Sequence, residues 1–298
     1  MAIPDTCGAP GSGEHLLKTL DAVGRATALD HVAEPLQRAV RGLPLGPVRD
    51  VLHGLPIGHP LHPALVQIPL GTWLSAAVLD LAGGAERPAR LLTAIGVLAA
   101  APTALSGWVD WAEQPKQQLR TGVVHATATG LAVLLQGASW VARSRGCHRA
   151  GRALGLGGLA AVSVGAALGG HLAYRQSAGT NKAEPVPELV GPEWHDLGAA
   201  DDFVRDGAVR RMIGEVPVMV VRGAEGEFHV LADRCSHSSG PLSEGRIADG
   251  CVTCPWHGSV FRLSDGWNVG GPATAPQPCF LTRIDAAGRL QARLPAVV

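Results

Sequence analysis

The chain has 298 residues, room for two domains, and sets 25 basic against 25 acidic residues, so nothing in its charge suggests a polyanion such as nucleic acid. Only 17% of residues are charged, glycine reaches 39 and tyrosine numbers one, a composition that argues against a wholly soluble protein and for a membrane. Six cysteines, at 7, 147, 235, 251, 254 and 279, are too scattered for a disulfide framework.

Residues 1–50 read as an N-terminal tail. Met1 to Gly13 is rich in Pro, Gly and Ser, lacks the basic start and apolar core of a secretory signal, and is expected to be disordered. From Glu14 to Val40, apolar residues such as Leu17, Leu20, Val23, Val32, Leu36 and Val40 recur at intervals of three and four. That spacing predicts an amphipathic helix, or a pair broken around Pro35, packed on its own domain or lying on a membrane surface.

Residues 51–175 read as a four-span transmembrane domain. A Pro- and Gly-rich stretch holding His53, His59 and His62 leads into apolar segments at about 63–82, 91–111, 122–142 and 153–174. Each approaches the ~20 residues that a helix needs to cross a bilayer, and none has Lys or Arg in its interior. A soluble four-helix bundle needs polar faces, and these segments show too few. Gly157, Ala161, Gly165 and Gly169 predict a ridge for close helix approach on the fourth span. Trp108, Trp111, Trp140 and Tyr174 fall near span ends, as interfacial aromatics do, and Pro102 is expected to kink the second span.

With four spans, one membrane face collects His59, His62, Asp110, His125 and His171. Ionisable groups at such depths are costly and usually functional. Three readings are open: helix capping or interfacial water; ligation of a haem or another metal by some of His62, His125 and His171; or a proton or quinone site. The stretch HPLHPALVQIPLG resembles the start of an uncharacterised bacterial four-span membrane domain, over about Leu52 to Arg175. The resemblance implies an architecture but no established chemistry.

Residues 176–192, with three prolines and several polar residues, read as an exposed linker. From Glu193 the pattern turns to short β-rich runs such as VPVMVV and FHVLA between RGAEGE, SEG and ADG turns, which predicts a small antiparallel barrel over 193–298.

Two Cys/His pairs interrupt that barrel: Cys235-Ser-His237 and Cys254-Pro-Trp-His257. A structural zinc site uses the same donors, but its usual CxxC and HxxxH spacing is absent from both halves, and the CxxC at Cys251 and Cys254 has no second pair to complete a finger. One sulfur and one nitrogen from each loop instead resemble the Rieske [2Fe-2S] family, carried by CSHSSGPL from Cys235 and CPWHGSVF from Cys254. The resemblance implies that Cys235 and Cys254 hold one iron and His237 and His257 the other, with the two His at a solvent-exposed tip where electrons enter and leave. Gly270-Gly271-Pro272 resembles the Pro-containing loop that shields the cluster. Respiratory-complex Rieske proteins carry a disulfide whose cysteines are here Gly240 and Trp256, so the likeness is to the ferredoxin and oxygenase branch, which implies a lower potential and a reducing compartment. The other four cysteines are expected to be plain thiols.

The function this implies is that of a membrane-anchored carrier of single electrons between an unidentified redox partner and an acceptor, with a second redox group in the bundle as an added element. The alternative is a redox or iron sensor that regulates the membrane domain. A stand-alone oxygenase is not expected: it needs a mononuclear iron held by a 2-His-1-carboxylate set, which the resemblance to the oxygenase branch implies would lie in a large domain after the cluster, and no His follows His257 in this sequence. Arg87, Arg90, Arg143, Arg145, Arg149 and Arg152 flank one membrane face and Arg49, Lys116, Arg120, Arg175 and Lys182 the other, so the positive-inside rule hardly decides orientation. Moving a charged tail and a cluster domain outward without a visible signal is harder than keeping them in. Both termini and the Rieske domain are therefore expected in the cytoplasm.

Overall fold

The computed structural model describes residues 12–205 and 207–295. Apart from Ser12 and Gly13, which open a helix, the reading of Met1 to Gly13 lies outside the described residues, as does Cys7. The helices are α1 (Ser12–Arg25), α2 (Asp30–Arg41), α3 (Val48–His53), α4 (Leu61–Leu65), α5 (Gln67–Ala82), α6 (Glu86–Ala112), α7 (Lys116–Ser144), α8 (His148–Gly170) and α9 (Val186–Leu189). The chain divides into two compact units, Met1–Leu43 with Leu65–Ala178, and Pro44–Ala64 with Gly179–Val298.

The regular elements among the described residues of the first unit are all helices. Its amphipathic N-terminal stretch is broken at Ala26, where the backbone leaves the helical region before a tight turn at Thr27–Leu29, and not at Pro35, which sits inside α2. The new start is favoured by Asp30 in the first turn of α2, where a carboxylate meets the positive end of the helix dipole. Arg120 of α7 holds that carboxylate through two contacts of 2.7 Å. Ala33 and Val40 are buried against Trp111, Ala112 and Leu119, so α2 packs on its own unit. Trp111, expected at an interface, is inside, donating from Nε1 to Leu119 O at 2.9 Å. Trp140 and Tyr174 are exposed.

Among the described residues, three stretches are long and apolar enough to cross a membrane: Leu61–Ala82, Glu86–Ala112 and His148–Arg175, the last formed by α8 and one wider turn, His171–Arg175. The helix over the third predicted span, α7, is 29 residues long but does not meet that apolarity. Its polar residues turn inward: Gln136 Nε2 donates to Gly155 O (3.1 Å), Ser139 Oγ to Gly151 O (2.6 Å), and Arg143 makes a two-pronged contact with Asp80 at 2.7 and 2.5 Å. A buried polar group is tolerated where its hydrogen bonds are made, and here the opposing helices make them. The face of α8 that α7 covers runs through Gly151, Gly155, Gly158, Val162 and Gly165 and takes in part of the predicted row: a Cβ on Gly165 would lie 2.6 Å from Thr129 Cγ2, and one on Gly169 3.3 Å from His125 Cε1. Gly96 of α6 serves the same purpose for Trp73: a Cβ there would lie 2.2 Å from the indole Nε1. Pro102 lies within the unbroken helix α6. Outward-facing Leu81, Leu98 and Leu134 are 84%, 75% and 73% exposed.

The second unit is built on strands β1 (His195–Ala199), β2 (Ala208–Ile213), β3 (Val216–Arg222), β4 (Phe228–Ala232), β5 (Arg246–Ala248), β6 (Cys251–Thr253), β7 (Val260–Arg262), β8 (Asn268–Gly270), β9 (Cys279–Ile284) and β10 (Arg289–Arg293). They form two antiparallel sheets, ordered β1-β10-β9-β4-β3-β2 and β5-β6-β7-β8. β3 is buried on both faces, and because successive side chains on a strand point to opposite sides, it feeds two cores. Val218 and Val220 join Phe203, Phe280 and Leu290 in one, and Met219 and Val221 join Leu242, Val252, Phe261 and both Cys235 and Cys254 in the other. Part of the expected linker belongs to the first of these cores: Val186 of α9 and Val190 are buried in it. The segment Pro44–Ala64, which carries α3, clusters with this unit.

Candidate metal centre

The two Cys/His loops share one backbone circuit. In the first, Cys235 N donates to Gly240 O (2.9 Å) and Ser239 N to Cys235 O (2.8 Å); in the second, Cys254 N donates to Ser259 O (2.8 Å) and Gly258 N to Cys254 O (3.1 Å). Each turn closes through a residue with positive φ at the same place, Ser239 at 63° and Gly258 at 77°. Both cysteines are thereby held inward, at 1% and 3% exposure.

Each loop is braced from outside. Gln277, buried between Pro276 and Pro278, donates from Nε2 to Ala232 O (2.7 Å) and Arg234 O (2.6 Å) and accepts from Ser236 N (3.1 Å). Asp233 Oδ1 accepts from Ser243 N at 2.6 Å, and Lys182 N donates to Ser236 O at 2.8 Å. On the second loop, Ser259 Oγ accepts from Ala273 N at 3.0 Å. Ser236 Oγ donates to Ala275 O at 2.8 Å, so residues 273–277 tie the third loop to both of the others.

Within this frame like donors meet like. Cys235 and Cys254 are buried in the same core and act on each other: the neighbouring Cys235 thiol lowers Cys254 to about 6, and the Cys254 sulfur, then burial, push Cys235 up. The His237 and His257 rings stand edge to face with centroids 4.9 Å apart. Burial, followed by the neighbouring His257, His53 and Lys182, lowers His237 to about 3, which keeps the ring neutral and able to act as a ligand. Its Nδ1 is buried without a hydrogen-bond partner. Both rings are half-buried, a contrast with the exposed tip that the sequence led us to expect. Cys279, by comparison, is an ordinary thiol pushed up to about 11 by burial, then by Asp265. Cys147 and Cys251 are likewise free.

Among the described residues no three His, Cys, Asp or Glu side chains are placed to hold a single metal ion. Gly240 and Trp256, which stand where a disulfide would be expected in the respiratory branch, are neighbours. A Cβ on Gly240 would lie 3.0 Å from Trp256 Cγ and 2.9 Å from Cys254 Sγ, so the indole takes the space beside the sulfur.

The histidines singled out in the membrane region divide between the two units. His62 belongs to the second unit, while His125 and His171 belong to the first. His125 Nδ1 lies 2.8 Å from Gly165 O, and His171 is buried with Nε2 3.4 Å from Asp21 Oδ1. Nothing in their surroundings supports a haem.

Residues 193–281 match the Rieske [2Fe-2S] domain model, and residues 58–182 match a family described as Predicted membrane protein (DUF2231). The β unit is 39% identical over 99 residues to the anthranilate 1,2-dioxygenase ferredoxin subunit of Burkholderia cepacia, covering 33% of this chain and 91% of that protein. It is 33% identical over 89 residues to Ferredoxin CarAc of Metapseudomonas resinovorans, covering 29% and 81%. The chain belongs to the Rieske [2Fe-2S] family. Among solved structures it is similar to a complex of reduced oxygenase and oxidized ferredoxin in carbazole 1,9a-dioxygenase, at 26% identity and a TM-score of 0.32, covering 35% of this chain and 94% of that one.

A Rieske cluster requires two sulfur donors on one iron and two imidazoles on the other. The donor set fits: thiols adjacent to each other, imidazoles adjacent to each other, and a buried imidazole nitrogen with nothing else to bond. Sequence reading missed the braces. Gln277 offered one signal, a lone polar residue between two prolines, whereas Ser259 and Lys182 offered none.

Proposed function

We propose that the chain is a membrane-anchored one-electron carrier in which Cys235 and Cys254 ligate one iron and His237 and His257 the other iron of a [2Fe-2S] cluster. When bound, the cluster accepts and releases single electrons, at a potential raised by the two neutral ligands. The chain's own contribution is positional. Gln277, Asp233 and Ser259 hold the loops so that the donors meet without reorganisation, Trp256 and the third loop keep water from the sulfurs, and the neutral His237 ring needs no deprotonation to bind metal.

The observation that carries this reading is the segregation of the four donors into a thiol pair and an imidazole pair. Similarity to dioxygenase ferredoxin subunits supports an oxygenase as one redox partner. The apolar helices, with Leu81, Leu98 and Leu134 turned outward, support a bilayer as the anchor. We place the Rieske domain and both termini on the cytoplasmic side, where the thiols of Cys251 and Cys279 remain reduced. The deciding experiment is visible absorption and electron spin resonance of the detergent-solubilised protein. A Rieske signal that is bleached by a reductant and returns on oxidation is expected; a colourless protein carrying zinc would refute the reading. Labelling of Cys147, Cys251 and Cys279 by a membrane-impermeant thiol reagent in intact cells and inverted vesicles tests the orientation.

A further inference from the structure

Residues 44–57 lie in neither matched stretch, yet they are part of the unit that holds the candidate centre. α3 ends against the third loop. Gly271 N donates to Asp50 Oδ1 at 3.0 Å, and a Cβ on Gly271 would come within 3.1 Å of that oxygen and 3.3 Å of His53 Cδ2. His53, on the same helix, is 2% exposed. From Gly271 the loop continues to Ala273, whose N–H is held by Ser259 of the second ligand loop, and to Ala275, whose carbonyl is held by Ser236 of the first. A residue more than two hundred positions upstream in sequence therefore sits at the head of the hydrogen-bond chain that ends on both ligand loops.

We propose that Asp50 is a positioning residue for the cluster: its carboxylate pins Gly271 so that α3 and the third loop stay closed on both ligand loops, and its charge lowers the reduction potential. The inference rests on the ligand assignment above. Two effects act in the same direction. A carboxylate near a centre that gains an electron opposes that gain. Excluding water from the centre denies the added charge its solvation.

The test uses the full-length solubilised protein and compares Asp50→Asn, which keeps an acceptor oxygen but loses the charge, with Asp50→Ala, which loses both. The readouts are the midpoint potential from a resonance-monitored titration and the half-life of the cluster in air. Both variants are expected to shift the potential upward. Asp50→Ala is also expected to shorten the half-life several-fold, while Asp50→Asn stays close to wild type in that respect. Glu225→Gln, in an exposed turn, should move neither. If Asp50→Ala does not fold, Asp50→Asn alone decides through the potential. Wild-type potential in Asp50→Asn, or wild-type potential and half-life in Asp50→Ala, would overturn the inference and leave the cluster assignment standing. A wild-type protein without the Rieske signal would overturn both.

Discussion

The two ligand loops close through the same pair of backbone hydrogen bonds, but their sequences differ in where the histidine falls, two residues after Cys235 and three after Cys254. The cysteines are placed by the closed circuit and reach equal depth, whereas each histidine takes its direction from its position within the turn. Unequal spacing is thus what lets two similar turns bring their rings together at 4.9 Å. The loops differ again in their support. The first is held by a buried side chain making three hydrogen bonds, and the second by a single hydroxyl.

The largest effect should be symmetrical between the loops. Cys235→Ser and Cys254→Ser are each expected to abolish the visible absorption and resonance signal, since a hydroxyl does not replace a thiolate in a two-iron set, and to loosen both turns together. A cluster retained in either variant would break the equivalence. Asymmetry should appear in the braces. Gln277→Leu removes three buried hydrogen bonds and is expected to lower unfolding stability by about 2–4 kcal/mol, against about 1–2 kcal/mol for Ser259→Ala. Denaturant unfolding of the β unit within the full chain measures both, and equal losses would show that the braces do not differ.

A smaller effect tests the shared left-handed residue. Ser239 adopts φ 63° with a side chain, a conformation that costs an L-residue roughly 1–2 kcal/mol, and glycine occupies the matching place in the second loop. Ser239→Gly should therefore stabilise the protein slightly, and Gly258→Ala should destabilise it by about 1 kcal/mol although its Cβ would meet nothing within 4 Å. Effects of the same sign would mean that contacts, not backbone strain, govern the turn. The smallest effect lies in the β7–β8 hairpin, where Arg262, then the Trp267 N–H, hold the Asp265 carboxyl below its usual value. A depressed carboxyl pKa contributes stability above the unfolded value near 4, and that contribution is lost as pH falls through the folded value. Asp265→Ala should cost less than about 1 kcal/mol at neutral pH, because the pair is exposed, and nothing once the pH has fallen below the folded value. A thermal-unfolding pH series measures the difference.

The Cys/His spacing, the change from helical to strand periodicity near Glu193 and the apolar stretches were all legible in the amino-acid order, because ligand turns, strand alternation and bilayer length are local requirements. Local patterns could not say which way polar residues face. Gln136, Ser139 and Arg143 of α7 are satisfied by α8 and by Asp80, and without those partners they read only as interruptions of an apolar segment. The helix break shows the same limit: Pro35 is the stronger local signal, yet Asp30 and its Arg120 partner on another helix set where α2 starts.

The order of residues by itself determined what chemistry the protein can hold, since two cysteines and two histidines in short turns bring their own donor atoms with them. Tertiary structure alone decided how that chemistry is enclosed. Gln277, Ser259 and Asp50 reach the loops only after the chain has closed over tens to hundreds of residues, and contacts between such distant positions leave no periodicity or spacing to read.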